Sequence, residues 1–388
     1  MTENPNQQQL DIKDEYELWR KNCKYMYEFI NETALTWPSL TVQWLPKSET
    51  SDVINAKLLL GTHTSGEAQD HLKVASTQLP IKGSDKKISS KIKITQKVEC
   101  SSEVNRARYK PQNPDVIATI NGGGELDFYN LANNEKFGHV SPHTENGYGL
   151  SWNSFKDNYL LSSSDDHSVA LTNVGDLDKN GGLVHKFQNH SDIVNDVKWH
   201  HFDENLFGSV SDDKSLLLFD IRTPEKAVHT FHNEDSKGIN SLSFSPFSRN
   251  LLALGNTNSN INLLDLRKIS KSSTPLHTMM GHGDAITSLE FSPHKDGIIA
   301  SGSQDRRVIL WDLAKIGEEQ TQEDAEDGCP EIFMMHAGHT GGVTDLSWCP
   351  FDDWTLASVA DDNIVHLWEV SSSLVKDTPA APKDNELE

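Results

Sequence analysis

The sequence predicts an all-β fold, a seven-bladed β-propeller with one α-helix packed on its side. The clearest example of its repeating unit is residues 281–313, GHGDAITSLEFSPHKDGIIASGSQDRRVILWDL. Apolar and polar residues alternate over short runs in this segment, which is the period of half-buried strands. Gly-His near its beginning and Trp-Asp near its end enclose enough residues for four such strands. The segment therefore predicts one propeller blade.

The same unit recurs along most of the chain. In four copies the distance from the His to the position of the Trp is 29 residues, namely 143 to 172, 190 to 219, 282 to 311 and 339 to 368. Two less regular copies end at Tyr129 and Leu264, and a divergent copy precedes them. This pattern is the mark of a WD40 repeat, and seven units make a common propeller size.

The two ends of the chain do not follow the repeat. Residues 1–10 are polar and are predicted to be disordered. Residues 11–34 predict one amphipathic helix, with Asp11 or Asp14 as its N-cap. Its apolar residues recur every three or four positions: Tyr16, Trp19, Cys23, Met26 or Tyr27, and Ile30. Residues 371–388 predict a short helix followed by a disordered acidic tail.

The propeller is predicted to span residues 35–370. Strands of the divergent first blade are expected in residues 35–45, 57–64 and 72–79. We expect a strand near residues 41–44 to pair with the last blade, because this closes the ring without an open sheet edge. The lysine-rich residues 82–97 predict a solvated loop that runs into a strand, with a nuclear-import signal as the alternative.

Composition disfavours several classes of function. The chain has 35 Lys and Arg against 57 Asp and Glu, a formal net charge of −22. This charge disfavours direct nucleic-acid binding and favours a basic partner, with solubility alone as the alternative explanation. No stretch approaches the roughly 18 apolar residues of a membrane span and the polar start lacks signal-peptide features, so we expect a soluble intracellular protein. The four cysteines form no CxxC motif or Cys/His cluster, which disfavours a zinc site or a disulfide framework.

A set of polar residues returns in the regular units. The complete sets are His282, Ser301, Asp305 and Trp311, and His339, Ser358, Asp362 and Trp368; two other units carry His190, Ser209 and Asp213, and His143, Ser162 and Asp166. A catalytic triad occurs once per active site, whereas this set occurs four times, so we interpret it as a structural network within each blade. No P-loop, GxSxG or HExxH motif is present, and we predict no catalytic, cofactor-binding or metal-binding residue. The alternative, a hydrolase built on the propeller, would require activity in the isolated chain.

The distance between the Trp positions of successive units is longer in one place than elsewhere. From Trp311 to Trp368 the step is 57 residues, against 43 to 47 elsewhere. The excess lies in residues 316–331, IGEEQTQEDAEDGCPE, which contain seven acidic residues and no basic one, and apolar residues 332–335 follow. An acidic loop beside an apolar patch suits a basic amphipathic helix. A solvated insertion without a ligand is the alternative.

Several long motifs resemble a known family. They include DEYELWRKNCKYMYEFI, LTWPSLTVQWLP, GTHTSGE, EVNRARYKPQNP, KIGEEQTQEDAEDG and DDNIVHLWEV, and the resemblance extends from about residue 14 to residue 375. The chain resembles the histone-binding WD40 proteins, which include the retinoblastoma-binding histone chaperones, the small subunit of chromatin assembly factor 1 and the second subunit of the type B histone acetyltransferase.

The resemblance implies a groove on the side of the propeller for the first helix of histone H4. Glu323, Asp324 and Asp327 would face the basic residues of that helix. The apolar floor would consist of Met26, Phe29, Ile30, Met334, Met335, Leu374 and Val375.

The resemblance also implies a site for the N-terminus of histone H3 on the top of the propeller. Glu103, Asn105, Arg106, Tyr148 and Asp361 fit the pattern of the family. However, Asn146, Asn195 and Ala285 stand where the chromatin-assembly members carry acids, and Thr287 stands at an aromatic position. We therefore expect altered or weaker H3 binding, and these departures favour the branch of the acetyltransferase subunit.

Taken with the acidic insertion, the resemblance predicts a non-catalytic histone-binding subunit without a cofactor of its own. It would present the H4 tail to a separate catalytic subunit that uses acetyl-CoA, as part of a hetero-oligomer in cytoplasm and nucleus. The alternative is the same binding module in a chromatin-assembly or deacetylase complex.

Overall fold

The computed structural model describes residues 11–50, 53–80, 91–270, 273–322 and 328–375. It begins with helix α1 (Ile12–Met26) and strand β1 (Tyr27–Ala34). The strands that follow are β2 (Val42–Thr50), β3 (Ile54–Leu60), β4 (His71–Leu79), β5 (Lys93–Glu99), β6 (Arg106–Lys110), β7 (Asn113–Ile120), β8 (Leu126–Asn130), β9 (Glu135–Val140), β10 (Gly147–Trp152), β11 (Tyr159–Ser164), β12 (Val169–Asn173), β13 (Leu183–Phe187), β14 (Val194–Trp199), β15 (Leu206–Ser211), β16 (Ser215–Asp220), β17 (His229–His232), β18 (Ile239–Phe244), β19 (Leu251–Asn256), β20 (Asn260–Asp265), β21 (His277–Met280), β22 (Ile286–Phe291), β23 (Ile298–Ser303), β24 (Val308–Asp312), β25 (Ile332–His336), β26 (Val343–Trp348), β27 (Thr355–Ala360) and β28 (Ile364–Val370). Two further α-helices are short, α2 (Leu177–Asn180) and α3 (Ser372–Val375), and 3-10 turns lie at Val174–Asp176, Leu266–Lys268 and Leu313–Lys315.

These strands form seven four-stranded sheets, and the predicted seven-bladed propeller is confirmed. Blades one to six contain consecutive strands, from β2–β5 to β22–β25. Residues 281–313, which predicted a whole four-stranded blade, hold only the first three strands of blade six, and its outer strand β25 follows the acidic insertion. Blade seven contains β26, β27 and β28, with β1 as its outermost strand. The first strands of neighbouring blades contact one another, for example β10 with β14 and β14 with β18, which places them around a central channel.

The N-terminal segment corrects two predictions. The predicted helix over residues 11–34 ends at Met26, and residues 27–34 form β1 instead. Strand β1 pairs antiparallel with β28, with Ile30 opposite Trp368, and so closes the ring. The prediction that a strand near residues 41–44 would pair with the last blade is therefore wrong, since β2 is the first strand of blade one. The three-residue spacing of Tyr27 and Ile30 is typical of a helix, and the otherwise unpaired edge of β28 overrides it.

The core lies between the faces of adjacent blades. Its largest fully buried side chains include Trp44, Trp311 and Trp368. Each such side chain contributes about 2–3 kcal/mol by leaving water, so stability is spread around the ring. Among the described residues, no helix is both long and apolar enough to cross a membrane.

Asp345 joins three blades at the point where the ring closes. It lies on β26 and accepts a hydrogen bond from Val42 N of blade one at 2.9 Å. It also forms ion pairs with Arg106 Nη1 at 2.8 Å and with Arg108 Nη1 at 3.1 Å, both in blade two. Burial alone would raise the pKa of Asp345, but the two guanidinium groups hold it below its usual value. The charged carboxylate therefore links blades one, two and seven at neutral pH.

Candidate functional site

Helix α1 is attached to the propeller mainly through Trp19. Trp19 is the buried residue of the helix, with 5% of its surface exposed. Its indole Nε1 donates to the hydroxyl of Tyr27 at 2.9 Å. A Cβ atom at Gly338 would lie only 2.5 Å from the Trp19 ring, so the backbone needs a glycine there for the ring to enter. The helix is therefore fixed at the edge between blades six and seven.

Polar contacts fix the rotation of α1. Glu15 pairs with Arg306 of blade six at 2.7 Å, and both side chains are partly shielded from water. Tyr16 Oη donates to Glu32 Oε1 on β1 at 2.8 Å. A single buried side chain would allow the helix to rotate about that contact, whereas these contacts in its first two turns prevent the rotation. Consequently, Met26 at the end of the helix stays packed on the hydrophobic cluster between blades six and seven.

Four half-buried apolar residues, at the end of α1 and beside it, form what we call the side groove: Met26, Ile30, Phe333 and Val375. They pack on one hydrophobic cluster that includes Trp19, Met334 and Trp354. The ring of Phe333 lies 5.1 Å from that of Trp354, at an interplanar angle of 33°. Phe333 is absent from the predicted floor. A bulge between β24 and β25 leaves Phe333 without a paired residue, and strand alternation in the sequence cannot show this.

The other predicted floor residues lie elsewhere. Met334 is only 5% exposed and belongs to the core. Met335 packs between blades five and six, and Phe29 packs between blades one and seven. Leu374 is exposed on α3, whose start is fixed by a hydrogen bond from Ser371 N to Met26 O at 2.9 Å. The structure thus brings together Met26, Ile30 and Val375 over Met334, and not the whole predicted set.

The acidic insertion lies between β24 and β25 of blade six. Glu318 and Glu319 are exposed, whereas Glu331 is 3% exposed and lies 2.7 Å from Nε2 of His277 in blade five. Cys329 Sγ donates to Met280 O at 3.1 Å. The end of the insertion is therefore anchored to blade five, and Glu331 is an anchor instead of a free charge. Glu323, Asp324 and Asp327 lie outside the described residues.

The second predicted surface is the top face, the end of the propeller where the connections enter the first strand of each blade. Its three asparagines are already hydrogen bonded. Asn105 Nδ2 donates to Asn146 Oδ1 at 2.7 Å, and Asn146 Nδ2 donates to Tyr148 Oη at 2.5 Å. Asn195 Nδ2 donates to Asp212 Oδ1 at 2.8 Å. A ligand on this face has to compete with bonds within the protein.

The remaining predicted top-face residues differ in whether their side chains already have a partner within the protein. Arg106 is paired with Asp345 in the channel wall. Thr287 Oγ1 donates to Val343 O at 2.6 Å, and Ala285 O accepts from Gln304 N. A hydrogen bond from Ser102 lowers the pKa of Glu103, so this carboxylate is charged at neutral pH. Asp361 is exposed, and desolvation together with neighbouring Asp362 raises its pKa.

Two further carboxylates on the top face were not predicted. Asp165 and Asp212 lie on the turns between the second and third strands of blades three and four. Desolvation raises the pKa of Asp165, and the negative charges of Glu145 and Asp212 add to this effect. Its Oδ1 is buried without a hydrogen-bond partner among the described residues. The sequence does carry a signal, since an Asp-Asp pair recurs at 165–166, 212–213 and 361–362.

The second Asp of each pair belongs to the network within the blade. In four blades the His Nε2 lies 2.7–2.9 Å from the Ser hydroxyl: His143–Ser162, His190–Ser209, His282–Ser301 and His339–Ser358. The His Nδ1 lies 2.8–3.2 Å from the Asp carboxylate: Asp166, Asp213, Asp305 and Asp362. Trp311 Nε1 donates to Ser301 at 2.8 Å, and Trp368 Nε1 reaches Ser358 at 3.4 Å. These buried groups satisfy one another and hold the turns together.

Comparison with known proteins identifies the family. The chain is 62% identical to histone acetyltransferase type B subunit 2 of Debaryomyces hansenii, over 99% of this chain and 97% of that protein. It is 59% identical to the protein of the same name from Candida albicans, over 98% of both chains. The chain belongs to the histone acetyltransferase type B subunit 2 family. A third member, from Candida glabrata, is 42% identical over 96% of this chain.

Two family models also match parts of this chain. The model whose description names histone-binding protein RBBP4 and the CAF1 complex matches residues 14–81, which include α1, β1 and most of blade one. The model of the WD domain, G-beta repeat, matches residues 181–220, 273–312 and 331–369. The first match covers the helix that borders the side groove.

Proposed function

We propose that this chain is the non-catalytic histone-binding subunit of a type B histone acetyltransferase complex. It binds the first helix of histone H4 in the side groove and holds the flexible H4 tail near a separate catalytic subunit. Its partners are then histones H4 and H3 and that catalytic subunit, in a hetero-oligomer without direct nucleic-acid or membrane contact. Its place of action is the cytoplasm and the nucleus.

The observation that carries this proposal is the side groove, whose Phe333 follows the acidic insertion directly along the chain. Met26, Ile30 and Phe333 offer a half-buried apolar floor, and the insertion carries the exposed Glu318 and Glu319. An amphipathic helix with one apolar and one basic face matches both features. Buried anchors dominate the affinity, at about 1–3 kcal/mol each, whereas rim charges contribute roughly 0.2–1 kcal/mol and set orientation.

Tethering explains how a subunit without catalytic groups can raise acetylation. Binding the H4 helix makes the encounter of the tail with the catalytic subunit intramolecular, so the effective substrate concentration rises. The expected kinetic consequence of removing this chain is a higher apparent KM for histone H4, with a smaller change in kcat.

Charge reversal of the insertion tests the proposal. The triple variant with Glu323, Asp324 and Asp327 each changed to Lys should bind an H4 helix peptide about 10- to 100-fold more weakly by calorimetry at moderate salt, because three attractions become repulsions. A control variant changes Glu225, Glu234 and Asp235, all exposed on blades four and five, to Lys. It alters the net charge equally and should retain most of the affinity. Equal binding by both variants and the wild type would contradict the groove assignment.

A second candidate assembly follows from the family model whose description includes the CAF1 complex. The same groove would then serve chromatin assembly. Purification of the tagged chain followed by mass spectrometry separates the two. The proposal requires a stoichiometric acetyltransferase partner, and a large chromatin-assembly subunit in its place favours the alternative.

A further inference from the structure

Three buried histidines lie together beneath α1. The side-chain nitrogens of His336, His339 and His366 fall within 4.8 Å of one another, which raises the question of a metal site. Both nitrogens of His339 are already engaged, however, by Asp362 at 3.1 Å and by Ser358 at 2.9 Å. Three other blades use their histidines in the same way. His339 is therefore part of the blade network, and the remaining two imidazoles are too few for a buried metal centre.

His336 and His366 instead continue a chain of hydrogen bonds that begins on α1. Trp19 Nε1 can only donate, so it donates to the hydroxyl of Tyr27. The Tyr27 hydroxyl is 2.7 Å from Nδ1 of His336 and donates its own hydrogen there. His336 must then carry its hydrogen on Nε2, which lies 3.1 Å from Nδ1 of His366. Each donor thus fixes the direction of the next bond.

The chain of bonds ends at His366, close to a carboxylate that is bonded to α1. Because Nδ1 of His366 accepts, its hydrogen is on Nε2, which is buried and has no hydrogen-bond partner among the described residues. The nearest carboxylate is Glu32, 4.0 Å away and directly opposite His366 in the pairing of β1 with β28. Glu32 in turn accepts from Tyr16 on α1. The chain therefore begins on α1 and ends within 4.0 Å of a carboxylate that accepts a hydrogen bond from the same helix.

This directed arrangement requires both imidazoles to be neutral. Burial lowers the pKa of His336 and of His366 well below the usual value for histidine. Protonation of His336 would set Nδ1–H against the hydrogen of Tyr27, and protonation of His366 would set Nδ1–H against Nε2–H of His336. Either event breaks one bond of the chain and places a charge under Trp19.

Other polar groups also face the pair. On α1 these are Tyr16, Trp19, Arg20 and Cys23; on β1 they are Tyr27 and Glu32; in blade seven they are His339 and Asp362. Burial raises the pKa of Tyr27 and raises that of Cys23 to about 11, so both stay protonated in acid.

We propose that Tyr27, His336 and His366 are positioning residues that hold α1 in place and thereby shape one wall of the side groove. The inference rests on the proposed function for its effect on histone binding, but the docking of α1 can be measured without a histone. Since a free histidine titrates near pH 6.5, docking is complete above about that pH and weakens as the pH falls below it.

Hydrogen exchange of the full chain tests the docking itself. After correction for intrinsic rates, the amides of Ile12–Met26 in the wild type should lose protection between pH 7 and pH 5.5, while those of β14–β16 keep theirs. The variant Tyr27→Phe leaves Trp19 Nε1 and His336 Nδ1 without partners and should speed exchange in α1 about fivefold or more at pH 7. His366→Gln removes one titrating imidazole and should flatten the pH dependence. His229→Gln, on the exposed outer strand of blade four, is the control and should behave as the wild type.

Titration with an H4 helix peptide adds the functional measurement. Tyr27→Phe should weaken its binding about fivefold at pH 7 and leave the binding of an H3 N-terminal peptide unchanged. If Tyr27→Phe does not fold, His366→Gln takes its place, since it removes the last imidazole of the chain and leaves α1 itself unchanged. Unchanged exchange in α1 for the variant that folds, or a wild-type α1 insensitive to pH, would overturn the inference. Faster α1 exchange with no H4 binding even by the wild type would support the docking role and count against the proposed function alone.

Discussion

The side groove and the top face differ in whether their side chains are already bonded within the protein in the absence of a ligand. In the side groove, Met26, Ile30 and Phe333 are half buried, so part of their apolar surface is still in water. On the top face, Asn146 and Asn195 are bonded to Tyr148 and Asp212. A ligand gains apolar burial in the groove without breaking a bond, whereas on the top face it must replace bonds that already exist.

This difference predicts that the two surfaces respond to different substitutions. Affinity in the side groove should depend on the shape and size of a few apolar residues. Affinity on the top face should depend on charge, on pH and on which internal bond is broken. Four substitutions separate these cases, beginning with the largest expected effect.

Phe333→Ala should weaken binding of an H4 helix peptide by about 10- to 30-fold, or about 1.5–2 kcal/mol, because it removes the exposed part of the floor and its contact with Trp354. Calorimetry provides the measurement. Phe155→Ala is the matched control, since Phe155 is 55% exposed on a turn of blade three. If both variants bind the peptide equally well, the groove is not the binding surface.

Glu290→Gln should stabilise the protein at pH 8 by about 1–1.5 kcal/mol relative to wild type and have little effect at pH 5. Glu290 lines the central channel, of about 230 Å³, below the top face. Desolvation raises its pKa to about 7 from 4.5, although Arg108 and Lys198 oppose the shift. A raised pKa means that the contribution of Glu290 to stability is full below pH 4.5 and is lost as the pH rises through 7.

Urea denaturation at both pH values measures this effect. A gain of the same size at pH 5 would show that the cause is not the ionisation of Glu290. Glu225→Gln, at an exposed site of blade four, is the control and should change stability little at either pH.

Asn146→Asp and Asn195→Asp should have the smallest effects. A carboxylate at residue 146 can accept from Asn105 and from the Tyr148 hydroxyl, but it no longer donates to Asp165, so this variant should lose some stability at neutral pH. Binding of an H3 N-terminal peptide should still improve about two- to fivefold, measured by calorimetry. A carboxylate at residue 195 would lie against Asp212, so this variant should also be less stable, by about 0.5–1 kcal/mol at neutral pH. Wild-type stability of both variants would contradict the geometry of the top face.

Much of this architecture could be predicted from the sequence because the repeat is periodic. The constant spacing from His to Trp reflects four copies of one hydrogen-bonded network, and copies of one network must fold alike. The acidic insertion was visible for the same reason, as a departure from the period. Residues 316–331 stand out only because the other steps are shorter.

What the sequence could not predict depends on contacts between distant segments. The spacing of Tyr27 and Ile30 continues the helical pattern, but pairing with the free edge of β28 makes residues 27–34 a strand. Phe333 enters the side groove through a bulge, while Met335 points to the other side of its blade. Glu331 belongs to the acidic insertion and so is a candidate ligand-binding residue, but its carboxylate contacts His277 of another blade. None of these partners is near in the sequence.

Cross-linking of an H4 helix peptide tests the central claim most directly. The peptide carries a photoreactive residue on its apolar face, and the cross-linked sites on the full chain are mapped by mass spectrometry. Our account predicts cross-links at residues 26–30 and at Phe333, which disappear when unlabelled peptide competes. Cross-links confined to the top face, around Asn146 and Asp361, would contradict it.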